Sequence, residues 1–233
     1  MGIRDANLYM QGGAEKRKYQ GYFSGQVNSH YHVHAAQLGL TGNRFDTFGG
    51  AGSNSFNVTF YQGVVTSDSV QVNANVAGQY SKVRWSFSRQ QASSNSGALY
   101  AAVQGQNTGN KQLDSSENIS IGGVSGVRAY ATGEGTAPQG QIANLELRWN
   151  VRPEWTITPF VDWGRVEKRE QNPRSYNLKG AGVSATWTGQ SGWMAKTTYA
   201  HRMGSNPNPT TTGNDQDGTL HKHRVWFSLN RTF

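Results

Sequence analysis

The sequence predicts an all-β protein: a transmembrane antiparallel β-barrel wall of about ten strands. Three observations point there. Only 35% of the 233 residues are apolar, yet 11% are aromatic and seven are tryptophan, which suits neither a disordered chain nor an ordinary globular core. Apolar and polar residues alternate with period two along much of the chain, and no helix-period segment stands out. Short turns also alternate with long polar loops. A barrel reconciles the three, because every second residue of a strand faces lumen water and dilutes the apolar average.

In chain order, residues 1–16 are expected to be an N-terminal remnant or loop, and 17–233 a barrel portion. Strands are expected at 18–27, at 30–41 with a change of face near Gln37, and at 54–65. Two more follow at 78–90, with Val83, Trp85 and Phe87 on one face, and at 96–107, with Leu99, Ala101 and Val103. From residue 141 the pattern sharpens. Ala143, Leu145, Leu147, Trp149 and Val151 oppose Asn144, Glu146, Arg148 and Asn150. Residues 155–164 set Trp155, Ile157, Pro159, Val161 and Trp163 against Thr156, Thr158, Phe160, Asp162 and Gly164. Pro159 removes a ladder donor, so a bulge or locally loose pairing is expected there. Val183, Ala185 and Trp187 continue the scheme, as do Trp193, Ala195, Thr197 and Tyr199, and finally Val225, Phe227, Leu229, Arg231 and Phe233. Over these five strands the apolar faces carry one charge, Arg231, near an end where it can snorkel. The other faces carry Glu146, Arg148, Asp162, Lys196 and Arg224.

Short turns fall at 151–154, 188–192 and about 91–95, and long loops at about 108–140, 167–176 and 204–219. That asymmetry is the habit of outer-membrane barrels. Trp149, Trp155, Trp187 and Trp193 flank two of the short turns on the apolar face, as an interfacial aromatic girdle requires. A soluble β-sandwich explains the alternation but neither the loop asymmetry nor the tryptophan level.

Several function classes recede. The chain has no cysteine, so disulfides, thiolate metal sites and cysteine nucleophiles are out. No run of about 18 apolar residues offers a transmembrane helix. The N-terminus shows no basic region followed by an apolar core, so the expectation is a chain with its front removed. A net charge of +8 and a pI near 9.8 could suggest nucleic acid, but the basic residues are scattered and suit loops and a wet inner surface better. No nucleophile elbow appears and the carboxylates are dispersed, so no enzyme and no cofactor is expected. His30, His32 and His34 share one strand face and form a weak metal candidate. Imidazoles spaced about 7 Å apart in a line suit a single ion poorly, and polar lumen histidines are the plainer account. His221 and His223 read likewise.

The most informative stretch is 113–166. A Gly-rich loop, GGVSGVRAYATGEG at 122–135, is followed by LELRW at 145–149 and PFVDWG at 159–164. With QGQNTGNKQLDSSENISIGG at 104–123 and the closing VWFSLNRTF, these segments resemble the C-terminal barrel of two-partner secretion transporters, the haemolysin secretion/activation type. The likeness covers roughly 17–233. It implies an outer-membrane channel exporting an unfolded partner polypeptide, with outer-membrane lipid and the barrel assembly machinery as further partners. It also implies a sixteen-strand barrel, of which these would be the last ten strands, preceded by cargo-recognition domains. The loop over 113–140 is expected to fold inward, with Gly126, Val127, Arg128, Ala129 and Tyr130 as its motif. The facing strand motif is Phe160, Asp162 and Gly164, and the resemblance implies that Arg128 pairs with Asp162. A lumen-facing aspartate wants a cation, and an Arg in a Gly-flanked loop offers a two-pronged one. Ala129 stands where the family has Gly, Ala131 where Pro is frequent, and Pro138 where an acid is common. Phe227, Leu229 and Phe233 are the expected assembly signal. A barrel insertase of the same superfamily would share the Arg loop. A diffusion porin would share the strands but needs no such loop.

Overall fold

The computed structural model describes residues 5–67, 76–109, 112–168 and 174–232. Ten antiparallel strands form one sheet in simple meander order: β1 (Ala6–Phe23), β2 (Gln26–Asp46), β3 (Gly52–Ser67), β4 (Gly78–Ala92), β5 (Gly97–Thr108), β8 (Gln139–Arg152), β9 (Trp155–Lys168), β10 (Arg174–Thr188), β11 (Trp193–Arg202) and β12 (His223–Arg231). Two short strands, β6 (Ile119–Ser120) and β7 (Thr136–Ala137), pair with each other inside the β5–β8 connection. The ten expected strands are therefore present. The sheet is open: among the described residues β1 and β12 each have one neighbour.

The first strand is longer than its pattern suggested. β1 begins at Ala6, so residues 6–16, expected as remnant or loop, pair with β2 from Ala6↔Arg44 to Lys16↔His34. Alternation is weak there because Gly12, Gly13 and Ala14 offer no contrast between faces. The β1–β2 connection is a two-residue turn, with Ser24 and Gly25 both at positive φ, the geometry that matches strand twist.

The outer face is apolar. Leu145, Leu147, Trp149, Val161, Val183, Val225, Phe227 and Leu229 are all exposed, Phe227 by 69%. A soluble domain would hide such a face; a hydrocarbon-facing wall presents it. Trp155 and Trp187 are direct cross-strand partners at the short-turn end, where they and the exposed Trp149 and Trp193 supply the girdle. Arg231 lies over the Trp193 ring at 5.2 Å. At Pro159 the β9–β10 register runs unshifted. The β8–β9 ladder records no pairs for Leu147 and Arg148 opposite, so the accommodation is loose pairing rather than a bulge.

The protein interior sits inside the sheet's concave side. One apolar cluster gathers Ile121, Val127, Ala129, Tyr130 and Ala137 of the β5–β8 connection with Ile142, Phe160, Val166, Tyr176, Leu178 and Ala200 of the wall. A second gathers Leu113 with Val33, Val65 and Tyr80. It removes the expected change of face near Gln37. β2 pairs with β3 without a register shift, and its inner residues Val33 and Ala35 are both buried, Val33 against Leu113 of the connection. By the same parity His30, His32 and His34 point outward, which overturns the lumen reading. His223 also lies on the outer face, exposed beside Tyr199 and His201.

Candidate functional site

The β5–β8 connection turns into the lumen and returns, and its local structure explains how. Gly126 passes so close to the Ile121 carbonyl that a Cβ would lie 2.2 Å from its oxygen, so only glycine fits. Val127 N–H donates to that same carbonyl at 2.7 Å, and Gly122 bridges Val127. This compact knot holds Arg128 rigidly at the tip.

Arg128 meets the β8–β9 wall through charge-assisted bonds. Its Nε donates to Asp162 Oδ2 at 2.9 Å and its Nη2 to Asp162 Oδ1 at 2.7 Å, a two-pronged contact. Nη1 donates to Glu146 Oε1 at 2.8 Å, and the Arg128 backbone N–H donates to Asp162 Oδ2 at 3.0 Å. The guanidinium lies over the Phe160 ring, 3.4 Å from its centroid, where the ring quadrupole favours a cation. Asn144 Nδ2 donates to Asp162 Oδ1 at 2.7 Å, and Arg148 Nε to Glu146 Oε2 at 2.9 Å. Two cations thus neutralise two carboxylates, and every charged group has a partner. From the far side Trp226 Nε1 donates to the Arg128 carbonyl at 2.8 Å.

The remaining motif residues set the fit. Val127, Ala129 and Tyr130 are buried in the apolar cluster, and Arg202 stacks on the Tyr130 ring at 4.4 Å. A Cβ on Gly164 would sit 2.9–3.0 Å from Ile121 and Val127 side chains. Ala129, where the resembled family has glycine, faces Gly180, whose hypothetical Cβ would be 2.6 Å from Ala129 Cβ. The space lost at one position is recovered at the other. Phe227 and Leu229 lie exposed on the outer face of β12, while Phe233 falls outside the described residues. His30, His32 and His34 form a ladder of rings with centroids 5.1 and 6.4 Å apart. Among the described residues no three His, Cys, Asp or Glu side chains converge on a metal position.

Three sets of residues escaped the sequence reading. Glu146, Asn144 and Arg148 were placed on the wet face but not in the site. The signal was available: a hairpin closed at 151–154 sets Asn144 opposite Asp162 and Glu146 opposite Phe160. The second set surrounds Glu117, in a short 3₁₀ turn (Ser115–Glu117) capped by Asp114. Lys82 Nζ reaches Glu117 Oε2 at 2.6 Å, Arg17 pairs with Oε1, and Gln106 Nε2 donates to the Glu117 carbonyl at 2.8 Å. The third lies in the β11–β12 loop, where Asp215 pairs with Arg202 and with Arg224 at 3.0 Å. There Gln216 N–H donates to Glu134 Oε2 at 3.0 Å, tying that loop to the inward one. No local motif marks either set.

On the short-turn side of the loop tip lies a cavity of about 650 Å³. Asn7, Asn43, Ser55, Asn57 and Ser88 line one side of it, and Arg128, Glu146, Arg148 and Lys196 the other.

An outward apolar wall, an asymmetric set of connections and a loop bound by salt bridges to the inner face define the wall of an outer-membrane β-barrel with an inward-folded loop. The sequence profile of the haemolysin secretion/activation protein family ShlB/FhaC/HecB matches residues 4–189. The chain belongs to that family, whose members are outer-membrane β-barrel transporters of Gram-negative bacteria. Among solved structures it resembles CdiB from Escherichia coli, with a TM-score of 0.79 and 19% identity, covering 97% of this chain and 42% of that one. CdiB from Acinetobacter baumannii matches with a TM-score of 0.52 and 17% identity over 97% of this chain and 48% of that one. The chain thus spans less than half of either transporter. No curated protein matches.

Proposed function

We propose that this segment forms the loop-bearing wall of an outer-membrane channel that exports an unfolded partner polypeptide by two-partner secretion. Further strands of a longer polypeptide would close the barrel, and separate periplasmic domains would recognise the cargo. The observation that carries the reading is the Arg128–Asp162–Glu146 cluster. An unfolded polypeptide is far wider than a small solute, so a transporter that passes one needs a resting seal that can be displaced. In this reading Arg128 and Asp162 set the closed position, Gly126 to Tyr130 shape the loop tip, and Phe160 and Gly164 receive it. Phe227, Leu229 and Phe233 act as the signal for barrel assembly in the lipid bilayer.

The test is secretion. Cells making the complete transporter and its partner are compared with cells whose transporter lacks 113–138. The expected result is loss of the partner from the medium, together with a raised channel conductance. Undiminished export without the loop, or a conductance that does not change, refutes the proposal.

A further inference from the structure

At the end of β11 away from Trp193, three ring side chains meet on the outer face. His201 is the next-to-last residue of β11 and His223 the first of β12, and the two are direct cross-strand partners. Tyr199 shares that face two residues away and stacks on the His223 ring, with centroids 5.7 Å apart. The two imidazoles are tilted against each other at 4.6 Å. Nδ1 of His201 lies 3.3 Å from Nδ1 of His223, and the Tyr199 hydroxyl lies 2.5 Å from the same His223 atom. All three side chains are exposed. Eight residues separate His201 from the girdle tryptophan Trp193, about 27 Å of strand at about 3.4 Å per residue. The cluster therefore sits near the far edge of the apolar band, at the foot of the 203–222 connection, where water and ions reach it.

We infer that His201, His223 and Tyr199 form a transition-metal site, suited to Zn²⁺ or Cu²⁺, that ties β11 to β12 at the base of this connection. The first reason is distance. Two nitrogens each about 2.0–2.1 Å from one tetrahedral zinc stand about 3.3–3.4 Å apart, and the two Nδ1 atoms already have that separation. The second is the number of bonds each atom can make. A ring nitrogen offers a single in-plane lone pair or hydrogen, yet His223 Nδ1 has two polar neighbours. One hydrogen bond leaves the other contact unmade, whereas a metal ion takes a lone pair from each ring. The Tyr199 oxygen needs to move from His223 Nδ1 by less than about 1 Å to become a third donor, and water supplies the fourth. Imidazole nitrogens select zinc and copper over calcium and magnesium, which take oxygen ligands. The connection closed by this site carries Asp215, paired with Arg202, and Gln216, whose N–H meets Glu134 of the inward loop. An ion at its foot thus restrains the surface segment that touches that loop.

The test uses the complete transporter, purified in detergent and stripped of metal with a chelator. Calorimetric titration with zinc chloride compares it with the double variant His201→Ala/His223→Ala and with the ladder variant His30→Ala/His32→Ala/His34→Ala. The expected result is a zinc equivalent that the double variant loses and the ladder variant keeps. His223→Gln, which keeps a polar side chain on the same face, should show the same loss and serves if the double variant does not fold. Electron paramagnetic resonance with Cu²⁺ should show two imidazole nitrogens on the copper. Tyr199→Phe should weaken zinc binding about tenfold and leave that nitrogen signal in place. Saturating zinc should slow hydrogen exchange in 203–222 several-fold, an effect reversed by chelator and absent from the double variant. Equal zinc binding by the unmodified transporter and by His223→Gln overturns the inference. So does a copper spectrum without two nitrogens, or a zinc equivalent that disappears with the ladder instead.

Discussion

Replacing Arg128 by alanine removes three side-chain bonds to two carboxylates and the cation over Phe160. Breaking a dry ion pair by deleting one partner costs about 3–5 kcal/mol. Here the carboxylates are not fully stranded. Asp162 keeps Asn144 Nδ2 and the backbone N–H of residue 128, and Glu146 keeps Arg148. The adjoining cavity also brings water to one side. The lower end therefore applies, and about 3 kcal/mol corresponds to roughly a hundredfold shift from docked to undocked loop. The assay is planar-bilayer recording of the purified complete transporter, read as the ratio of open to closed time, with partner secretion measured in parallel. Arg128→Ala should raise that ratio about a hundredfold by the same arithmetic. Arg128→Lys, a point charge without the fork, should fall between. Unchanged gating in both variants refutes the assignment of Arg128 as the closing contact.

Three further outcomes follow from the contacts. Gly180→Ala should displace the loop tip, because the new methyl would lie 2.6 Å from Ala129 Cβ; adding Ala129→Gly should restore the seat. Protease cutting within 122–135 reads both, and an undisturbed single variant would falsify the close fit. Leu145→Arg places a charge on the outer face, further from the Trp149 girdle toward mid-bilayer, and should lower folding into vesicles by about 2–4 kcal/mol, so a neutral result contradicts its lipid exposure. In the β11–β12 loop, the Arg224 guanidinium 2.6 Å from Asp217 holds that carboxyl well below the usual carboxylate range. A depressed folded value means the stabilisation is present above the unfolded value, near 4, and is lost only as pH falls through the folded one. Hydrogen-exchange protection in 203–222, taken relative to the intrinsic rate at each pH, should therefore be flat from neutral pH down to about pH 4 and fall only in stronger acid. Loosening already between about pH 5 and 6 would contradict the pair's control of the loop.

Legibility tracked the reach of each interaction. In the second half of the chain, Leu145, Leu147 and Trp149 contrast so sharply with Asn144, Glu146 and Arg148 that face and strand could be read together. In β1 and β2 the contrast failed for a physical reason. Val33 and Ala35 look lipid-facing, yet they point inward because Leu113, some eighty positions along the chain, covers the first of them. His30, His32 and His34 were misassigned by the same inversion. Arg128 and Asp162 could be paired from their types and setting. Glu117 with Lys82 could not, because a salt bridge across 35 residues leaves no periodic trace.

By itself the sequence determined the alternation of wet and apolar faces, the number of strands, the side carrying the long connections and the loop that turns inward, since each is written in neighbouring residues. Tertiary structure alone decided which apolar residues face the lumen, that Glu146 and Trp226 join Asp162 at Arg128, and that a second buried contact, at Glu117, holds the stem. Those outcomes depend on how far a sheet curves and on which side chains it brings within a few ångströms, and no local pattern encodes that distance.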